Sequence, residues 1–246
     1  MAATLPPVTL GTGQSVTYAD CPGVYPEKVV VPKKVIAIGD SLVYGYGDSE
    51  GGGWVERLRR GYLDPQQPGP IFYNLGVRGD GVAQVAKRLG REFRDRGELR
   101  RRTPDFLVLS VGVNDSARAC RPDGRPVTDR ESFAKTLEQL LIQSQRLCPV
   151  FFVGMVPVNE LAMPFANVLY FSRKEQRYYN QVTRQLCEAH QVPYLDLFEQ
   201  WSRESDEWVC DRLCPDGIHP NSRGYCTILE TVSAWQPFTQ VIKPHN

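Results

Sequence analysis

Short apolar runs alternate with longer amphipathic stretches from Lys34 onward, and this alternation most constrains how the chain can fold. The runs are rich in valine, isoleucine and phenylalanine and have the length of buried strands. Each is followed by a stretch long enough to return along the sheet as a helix, so the strands are expected to be parallel and covered on both faces. The pattern predicts strands at about 34–39, 70–75, 104–111, 149–154 and 193–196, and helices at about 52–63, 81–100, 130–147, 173–190 and 221–235. The expected fold class is therefore a three-layer α/β/α sandwich around a five-stranded, mainly parallel sheet.

The length of 246 residues suits one α/β domain with a full core. Residues 1–33 contain five prolines and show little periodicity. We expect them to form an N-terminal extension, followed by a single domain at 34–246.

Composition and charge exclude several classes of protein. Lysine and arginine number 29 against 28 acidic residues, a net charge of +1, which argues against a nucleic-acid partner. No apolar run approaches the ~18–20 residues of a membrane span. Residues 1–27 contain no lysine or arginine and no apolar stretch of the length found in signal peptides. We therefore expect a cytoplasmic protein without a membrane span, and its oligomeric state stays open.

The seven cysteines are odd in number and scattered, which is typical of a reducing compartment. Cys210 and Cys214 could form a disulfide close to Asp216, but free thiols are favoured. No second Cys/His pair has the spacing of zinc ligands, so we expect neither a metal nor another cofactor.

A serine and a histidine stand in sequence contexts that favour nucleophilic catalysis. Gly39-Asp40-Ser41-Leu42 follows the first predicted strand directly, which would present the serine hydroxyl at the edge of the sheet. Asp216-Gly217-Ile218-His219 contains one of only three histidines, three residues after an aspartate. A serine becomes an effective nucleophile when an imidazole removes its proton and a carboxylate orients that imidazole. Ser41, His219 and Asp216 are therefore candidate catalytic residues.

Two further segments could supply hydrogen-bond donors to a developing oxyanion. Asn74 to Gly79 follows the short apolar stretch 71–73, and Gly112-Val113-Asn114-Asp115 follows the third predicted strand. A glycine N–H can approach a ligand closely, and an asparagine amide donates without adding charge. Ligands of open parallel sheets bind outside the carboxyl ends of the strands, where all these segments are expected to meet.

These four segments, in this order, resemble the four motif blocks of the SGNH superfamily, also called the GDSL esterase/lipase family. The resemblance extends over roughly residues 34–236. It implies a flavodoxin-like sheet, Ser41 as nucleophile, His219 as base, Asp216 as its orienting partner, and Gly79 and Asn114 as oxyanion donors. The G-x-S-x-G nucleophile elbow of the α/β-hydrolases is absent, because Val43 takes the place of the second glycine.

The expected function is hydrolysis of short- to medium-chain carboxylic esters by a serine esterase acting on a small-molecule substrate. A thioesterase or lysophospholipase using the same residues, or a non-catalytic ligand-binding module, remains an alternative. The apolar segment 155–171 either covers the substrate, with Phe165 and Tyr170 contacting the acyl group, or packs on the core.

Three polar or glycine-rich features outside these blocks are interpreted as structural. Asp40 neighbours the nucleophile and would compete for it, so we do not expect it to orient the base. We expect it to brace the loop through backbone hydrogen bonds. The run Gly51–Gly53 lacks the Walker spacing and is interpreted as a flexible loop beside the site. The arginine-rich stretch 88–102 is interpreted as a solvated helix face.

Overall fold

The computed structural model describes residues 32–66, 69–96 and 103–242, together with the backbone of 8–9 and 15–16. In the N-terminal region, strand β1 (Val8–Thr9) pairs antiparallel with β2 (Ser15–Val16). The predicted extension at 1–33 lies mostly outside the described residues, as do Cys21 and His245. The domain boundary therefore stays a prediction.

A five-stranded parallel sheet forms the centre of the domain. Its strands, in spatial order, are β4 (Ile71–Gly76), β3 (Lys34–Gly39), β5 (Phe106–Ser110), β7 (Val150–Val153) and β9 (Tyr194–Leu195). Every neighbouring pair is parallel. The first strand of this sheet along the chain, β3, thus lies between the second, β4, and the third, β5, which is the flavodoxin-like order. The predicted strands and fold class are confirmed.

Helices cover both faces of this sheet. Helices α3, α4 and α5 pack together in one group, and α2, α8 and α9 in another. The nine helices of the described residues are α1 (Ser41–Tyr44), α2 (Gly53–Arg60), α3 (Val82–Asp95), α4 (Arg130–Gln145), α5 (Arg173–Ala189), α6 (Leu197–Trp201), α7 (Asp206–Asp211), α8 (Ser222–Ala234) and α9 (Gln236–Ile242).

Side-chain caps fix the starts of the longer helices. The Asp129 carboxylate accepts a hydrogen bond from the Ser132 N–H at the start of α4, and the Ser172 hydroxyl accepts one from the Glu175 N–H at the start of α5. Such caps satisfy backbone donors that have no partner within the helix. All five predicted helices are present, and their ends lie within a few residues of the prediction except that the helix predicted at 81–100 ends at Asp95.

The core lies on both faces of β3, whose six residues are all buried. A central parallel strand is covered on both sides, which explains its continuous apolar run. At its carboxyl end Gly39 pairs with Gly76 of β4 and Ser110 of β5. The loops after these three strands therefore emerge side by side, at one edge of the sheet.

A small antiparallel pair lies apart from the main sheet. Strand β6 (Arg118–Ala119) pairs with β8 (Leu169–Tyr170).

No helix in the described part of the chain is long and apolar enough to cross a membrane.

Candidate active site

Ser41 is the first residue of α1 and lies two residues beyond Gly39, the last residue of β3. The preceding residue, Asp40, caps this helix, and its carboxylate accepts a hydrogen bond from the Leu42 N–H at 2.9 Å. This is the bracing contact predicted from the sequence. Asp40 is buried, and burial raises its pKa to about 7.

The turn into α1 depends on a close approach between two strands. A Cβ atom at Gly39 would lie 1.8 Å from the backbone oxygen of Ser110 on β5. Only glycine fits at this position without moving the strands apart. The turn therefore holds Ser41 directly over the carboxyl edge of the sheet.

Ser41, His219 and Asp216 form a continuous chain of hydrogen bonds. His219 Nε2 lies 2.9 Å from Ser41 Oγ, and His219 Nδ1 lies 2.7 Å from Asp216 Oδ2. Ser41 is 3% and His219 6% exposed, so the contact between them is largely shielded from solvent. The structure thus brings together three residues that are 178 and three positions apart in the sequence.

Asp216 has a second role in its own loop. Its Oδ1 accepts hydrogen bonds from the N–H groups of Ile218 at 2.9 Å and His219 at 3.0 Å. Burial acts to raise the pKa of Asp216, but the hydrogen bonds from the His219 ring and from these N–H groups outweigh it and lower the pKa. The carboxylate is therefore ionised over the range in which a histidine titrates.

Three N–H donors belong to residues that line the same cavity as the Ser41 hydroxyl: Ser41 itself, Gly79 and Asn114. Gly79 has a φ of +84°, a left-handed conformation that favours glycine. Asn114 begins a single 3₁₀ turn after β5, and its amide nitrogen donates to the Asp80 backbone oxygen at 2.9 Å. The second N–H of that amide and the backbone N–H groups of Ser41 and Gly79 have no acceptor among the described residues.

A cavity of about 340 Å³ brings these groups together with two aromatic rings. Its lining consists of Ser41, Arg78, Gly79, Asn114, Phe165, Phe171, Ile218 and His219. The Phe165 ring centre lies 5.9 Å from that of His219. Segment 155–171 therefore lies over the candidate site and supplies its apolar wall.

The sequence-based choice of Tyr170 within this segment is wrong. Tyr170 belongs to β8, where it pairs with Arg118, and does not line the cavity. Its neighbour Phe171 lines the cavity instead, because successive residues of an extended segment point to opposite sides.

The prediction of a solvated helix face at 88–102 is wrong for Arg88. Its guanidinium donates to the backbone oxygens of Gly39 at 2.8 Å and Leu75 at 2.9 Å. It also forms an ion pair with Asp80 at 2.7 Å. Arg88 thus ties together the ends of β3 and β4 and the loop that carries Gly79.

The glycine run 51–53 is held in place rather than flexible. The N–H groups of Gly51 and Gly53 donate to the buried carboxylate of Asp48, each at 2.9 Å. Asp48 also pairs with Arg57 at 2.6 Å and accepts a hydrogen bond from the Ser222 hydroxyl at 2.9 Å. Burial opposes ionisation, but these partners hold the pKa of Asp48 well below its usual range. The chain's own carboxylate takes the donors that an anion would otherwise use.

The cysteines and the possible metal ligands of the described residues can both be compared with the sequence-based expectations. The six cysteines of the described residues are all free, Cys210 and Cys214 included, so the prediction of free thiols is confirmed for these two. Among the same residues, no group of three or more histidine, cysteine, aspartate or glutamate side chains could hold a metal ion.

The sequence model of one protein family matches most of the chain, and that family places the protein in the class of carboxylic ester hydrolases. The chain belongs to the GDSL-like lipase/acylhydrolase family, because the sequence model of that family matches residues 37–226. The resemblance seen in the four motif blocks is thereby confirmed. No curated protein matches the chain.

Solved structures of the same fold include several hydrolases. A lipase/acylhydrolase from Enterococcus faecalis has a TM-score of 0.67 and 20% identity, covering 87% of this chain and 99% of that one. LAE5, an α/β hydrolase from the metagenome of Lake Arreo, has a TM-score of 0.61 and 20% identity, with coverages of 86% and 97%. Axe2, an acetylxylan esterase from Geobacillus stearothermophilus, has a TM-score of 0.59 and 18% identity, with coverages of 82% and 92%. At these identities the likeness shows a shared fold.

Proposed function

We propose that the protein is a serine esterase that hydrolyses short- to medium-chain carboxylic esters through Ser41, His219 and Asp216. The observation that carries this proposal is the hydrogen-bonded chain from the Asp216 carboxylate through the His219 ring to the Ser41 hydroxyl. Nucleophile and base are in contact, and the base is oriented by a third group, as acyl transfer requires.

In the first half-reaction, Ser41 Oγ attacks the ester carbonyl carbon while His219 Nε2 accepts the hydroxyl proton. Asp216 accepts the hydrogen bond of His219 Nδ1–H, which fixes the imidazole tautomer with Nε2 free to act as base. The carboxylate stays ionised and stabilises the imidazolium that forms. The tetrahedral intermediate then expels the alcohol, which takes its proton from His219 Nε2.

The oxyanion of the tetrahedral intermediate is assigned to the N–H groups of Ser41, Gly79 and Asn114. All three residues line the cavity, and these donors have no other acceptor among the described residues. The bond from Asn114 to the Asp80 backbone oxygen holds the amide in place, so that its second N–H is oriented before the reaction begins. In the second half-reaction, water attacks the acyl-enzyme by the same steps, with His219 as base, and the acid is released.

The cavity supports a small acyl group. Its volume of about 340 Å³ lies near the lower end of the ~300–1,000 Å³ that is typical of ligand sites. Phe165, Phe171 and Ile218 give it an apolar wall that suits an alkyl chain of a few carbons. The acetylxylan esterase that shares the fold carries acetyl esters in its name, at the small end of this range.

Hydrolysis of para-nitrophenyl butyrate by single variants tests the mechanism. We expect Ser41→Ala and His219→Ala each to lower kcat by ~10³-fold or more, and the double variant to lose little beyond either single change. Ser49→Ala, at an exposed serine of the loop after α1, serves as the matched control and should keep full activity. Full activity in purified Ser41→Ala protein would refute the proposed mechanism.

A further inference from the structure

Arg78 carries a charge that the proposed mechanism does not use. It is the only residue with a permanently charged side chain among the described residues that line the cavity. It directly precedes Gly79, one of the assigned oxyanion donors. Its side chain is exposed and forms no ion pair or hydrogen bond with the described residues.

Three carboxylates in the loops that carry Arg78, Tyr46 and His219 already have partners. Asp80 pairs with Arg88 at 2.7 Å, and Asp216 contacts His219 at 2.7 Å. Asp48 pairs with Arg57 at 2.6 Å. None of these carboxylates forms an ion pair with Arg78, so its guanidinium keeps its donors free at the wall of the cavity.

An aromatic ring holds the Arg78 guanidinium in place. Its central carbon lies 3.6 Å from the ring centre of Tyr46, and that ring in turn lies 4.7 Å from the His219 ring at an angle of 76°. Stacking on a ring face leaves the N–H groups at the guanidinium edge free to donate.

The backbone of Tyr46 is fixed at both its polar groups. The Tyr46 N–H donates to the Ser41 backbone oxygen at 3.1 Å. The Tyr46 backbone oxygen accepts a hydrogen bond from the buried Tyr225 hydroxyl at 3.1 Å. The Tyr46 ring therefore contacts both the Arg78 guanidinium and the ring of the proposed base, and both of these residues line the cavity.

We propose that Arg78, held on Tyr46, is a specificity-determining residue that binds an anionic group of the substrate, a carboxylate or a phosphate. A guanidinium edge binds such groups through paired, charge-assisted hydrogen bonds. The preferred substrates are then esters with a negative charge close to the scissile bond, carried either by the acyl part or by the leaving group. This inference rests on the proposed esterase function.

Two matched pairs of esters distinguish these sources. Monoethyl adipate and ethyl adipamate differ by a carboxylate or a neutral amide at the end of the acyl group. Meta-acetoxybenzoate and meta-acetoxybenzamide make the same comparison in the leaving group. The measured quantity is the ratio of kcat/KM for the anionic ester to that for the neutral one.

In the wild type we expect the anionic ester of at least one pair to be preferred by ~10-fold or more. Arg78→Gln should remove most of that preference. Raising the salt from ~0.05 M to ~0.5 M should also reduce it, because the guanidinium is exposed and its charge is screened. The pair that shows the effect identifies which part of the substrate carries the charge.

Arg94→Gln is the matched control, since it removes the same charge from an exposed side chain in the last turn of α3. It should leave both ratios at the wild-type value. Ratios near one in both pairs, or a preference that survives in Arg78→Gln, would overturn the assignment of Arg78. Ser41→Ala is measured alongside. If this variant loses both reactions while the kcat/KM ratios are the same in Arg78→Gln as in the wild type, the esterase function is retained and only the assignment of Arg78 is refuted. Retained activity in Ser41→Ala would refute the esterase function itself.

Discussion

Asp40 offers a test of the site's electrostatics that does not depend on the substrate. Its side chain is 2% exposed, one residue before the nucleophile. Its pKa is raised from 3.8 to about 7, chiefly by burial and further by the nearby carboxylates Asp115 and Asp80, while the hydrogen bond from the Leu42 N–H acts in the opposite direction.

The sign of the stability effect follows from this raised pKa. Below pH 3.8 the carboxyl group is protonated in both the folded and unfolded states and contributes no pH dependence. Between pH 3.8 and about 7 the unfolded chain releases the proton while the folded protein keeps it, so the free energy of unfolding falls as pH rises. At ~1.36 kcal/mol per pKa unit, the full loss is about 4 kcal/mol.

Asp40→Asn should remove this loss, because the amide cannot ionise but keeps the oxygen that accepts from the Leu42 N–H. We expect the variant to gain about 2–4 kcal/mol over the wild type as pH rises from about 4 to about 8. The measurement is urea unfolding followed by tryptophan fluorescence at several pH values. Comparing the two proteins at each pH cancels the titration of all other groups.

Asp123→Asn is the matched control, since the side chain of Asp123 is 81% exposed and its ion-pair partner among the described residues, Arg121, is 71% exposed. The free-energy difference between this variant and the wild type should be nearly independent of pH over the same range. A difference between Asp40→Asn and the wild type that is equally flat would refute the reasoning about Asp40.

Three further predictions concern the reaction. Replacing Phe165 and Phe171 with alanine should raise KM for hexanoyl esters more than for acetyl esters, at ~0.8 kcal/mol per buried methylene, whereas Tyr170→Ala should not; equal effects on both esters would show that the segment is only structural. Asn114→Ala should lower kcat by ~10²–10³-fold with little change in KM, because its free N–H acts mainly in the transition state; a change confined to KM in steady-state kinetics would contradict this. Incubation with EDTA should leave the rate unchanged, since the assigned oxyanion donors are N–H groups and the described residues include no metal-binding cluster. Activity that is lost on EDTA treatment and restored by zinc or manganese would contradict this prediction.

The sequence predicts those parts of the fold that repeat with a regular period. The buried run of β3 and the apolar stripe of α4 are long enough to identify their elements and to indicate a parallel sheet. The short helices α1, α6, α7 and α9 were not predicted, because four to seven residues do not complete two helical turns. Their positions follow from tertiary contacts and caps.

The site was predictable where its residues stand next to strand ends, and not where they act over long distances. Ser41, Gly79 and Asn114 follow β3, β4 and β5, so the parallel sheet brings them to one edge. Arg88 contacts the Gly39 oxygen 49 residues away, which no local pattern in the sequence indicates. Phe171 lines the cavity in place of Tyr170 because of a two-residue pairing between β6 and β8, too short to be recognised in advance.

Labelling with a fluorophosphonate probe, followed by mass mapping of the modified peptide, tests the central claim most directly. The probe reacts with serines that are activated by a neighbouring base, and hardly with ordinary hydroxyls. We expect a single modification on Ser41 of the wild type, and very little on the His219→Ala variant, in which the hydroxyl has lost its 2.9 Å contact with the base. An unlabelled wild type, or labelling of Ser41 that proceeds equally fast without His219, would contradict the account of Ser41 as a nucleophile activated by His219.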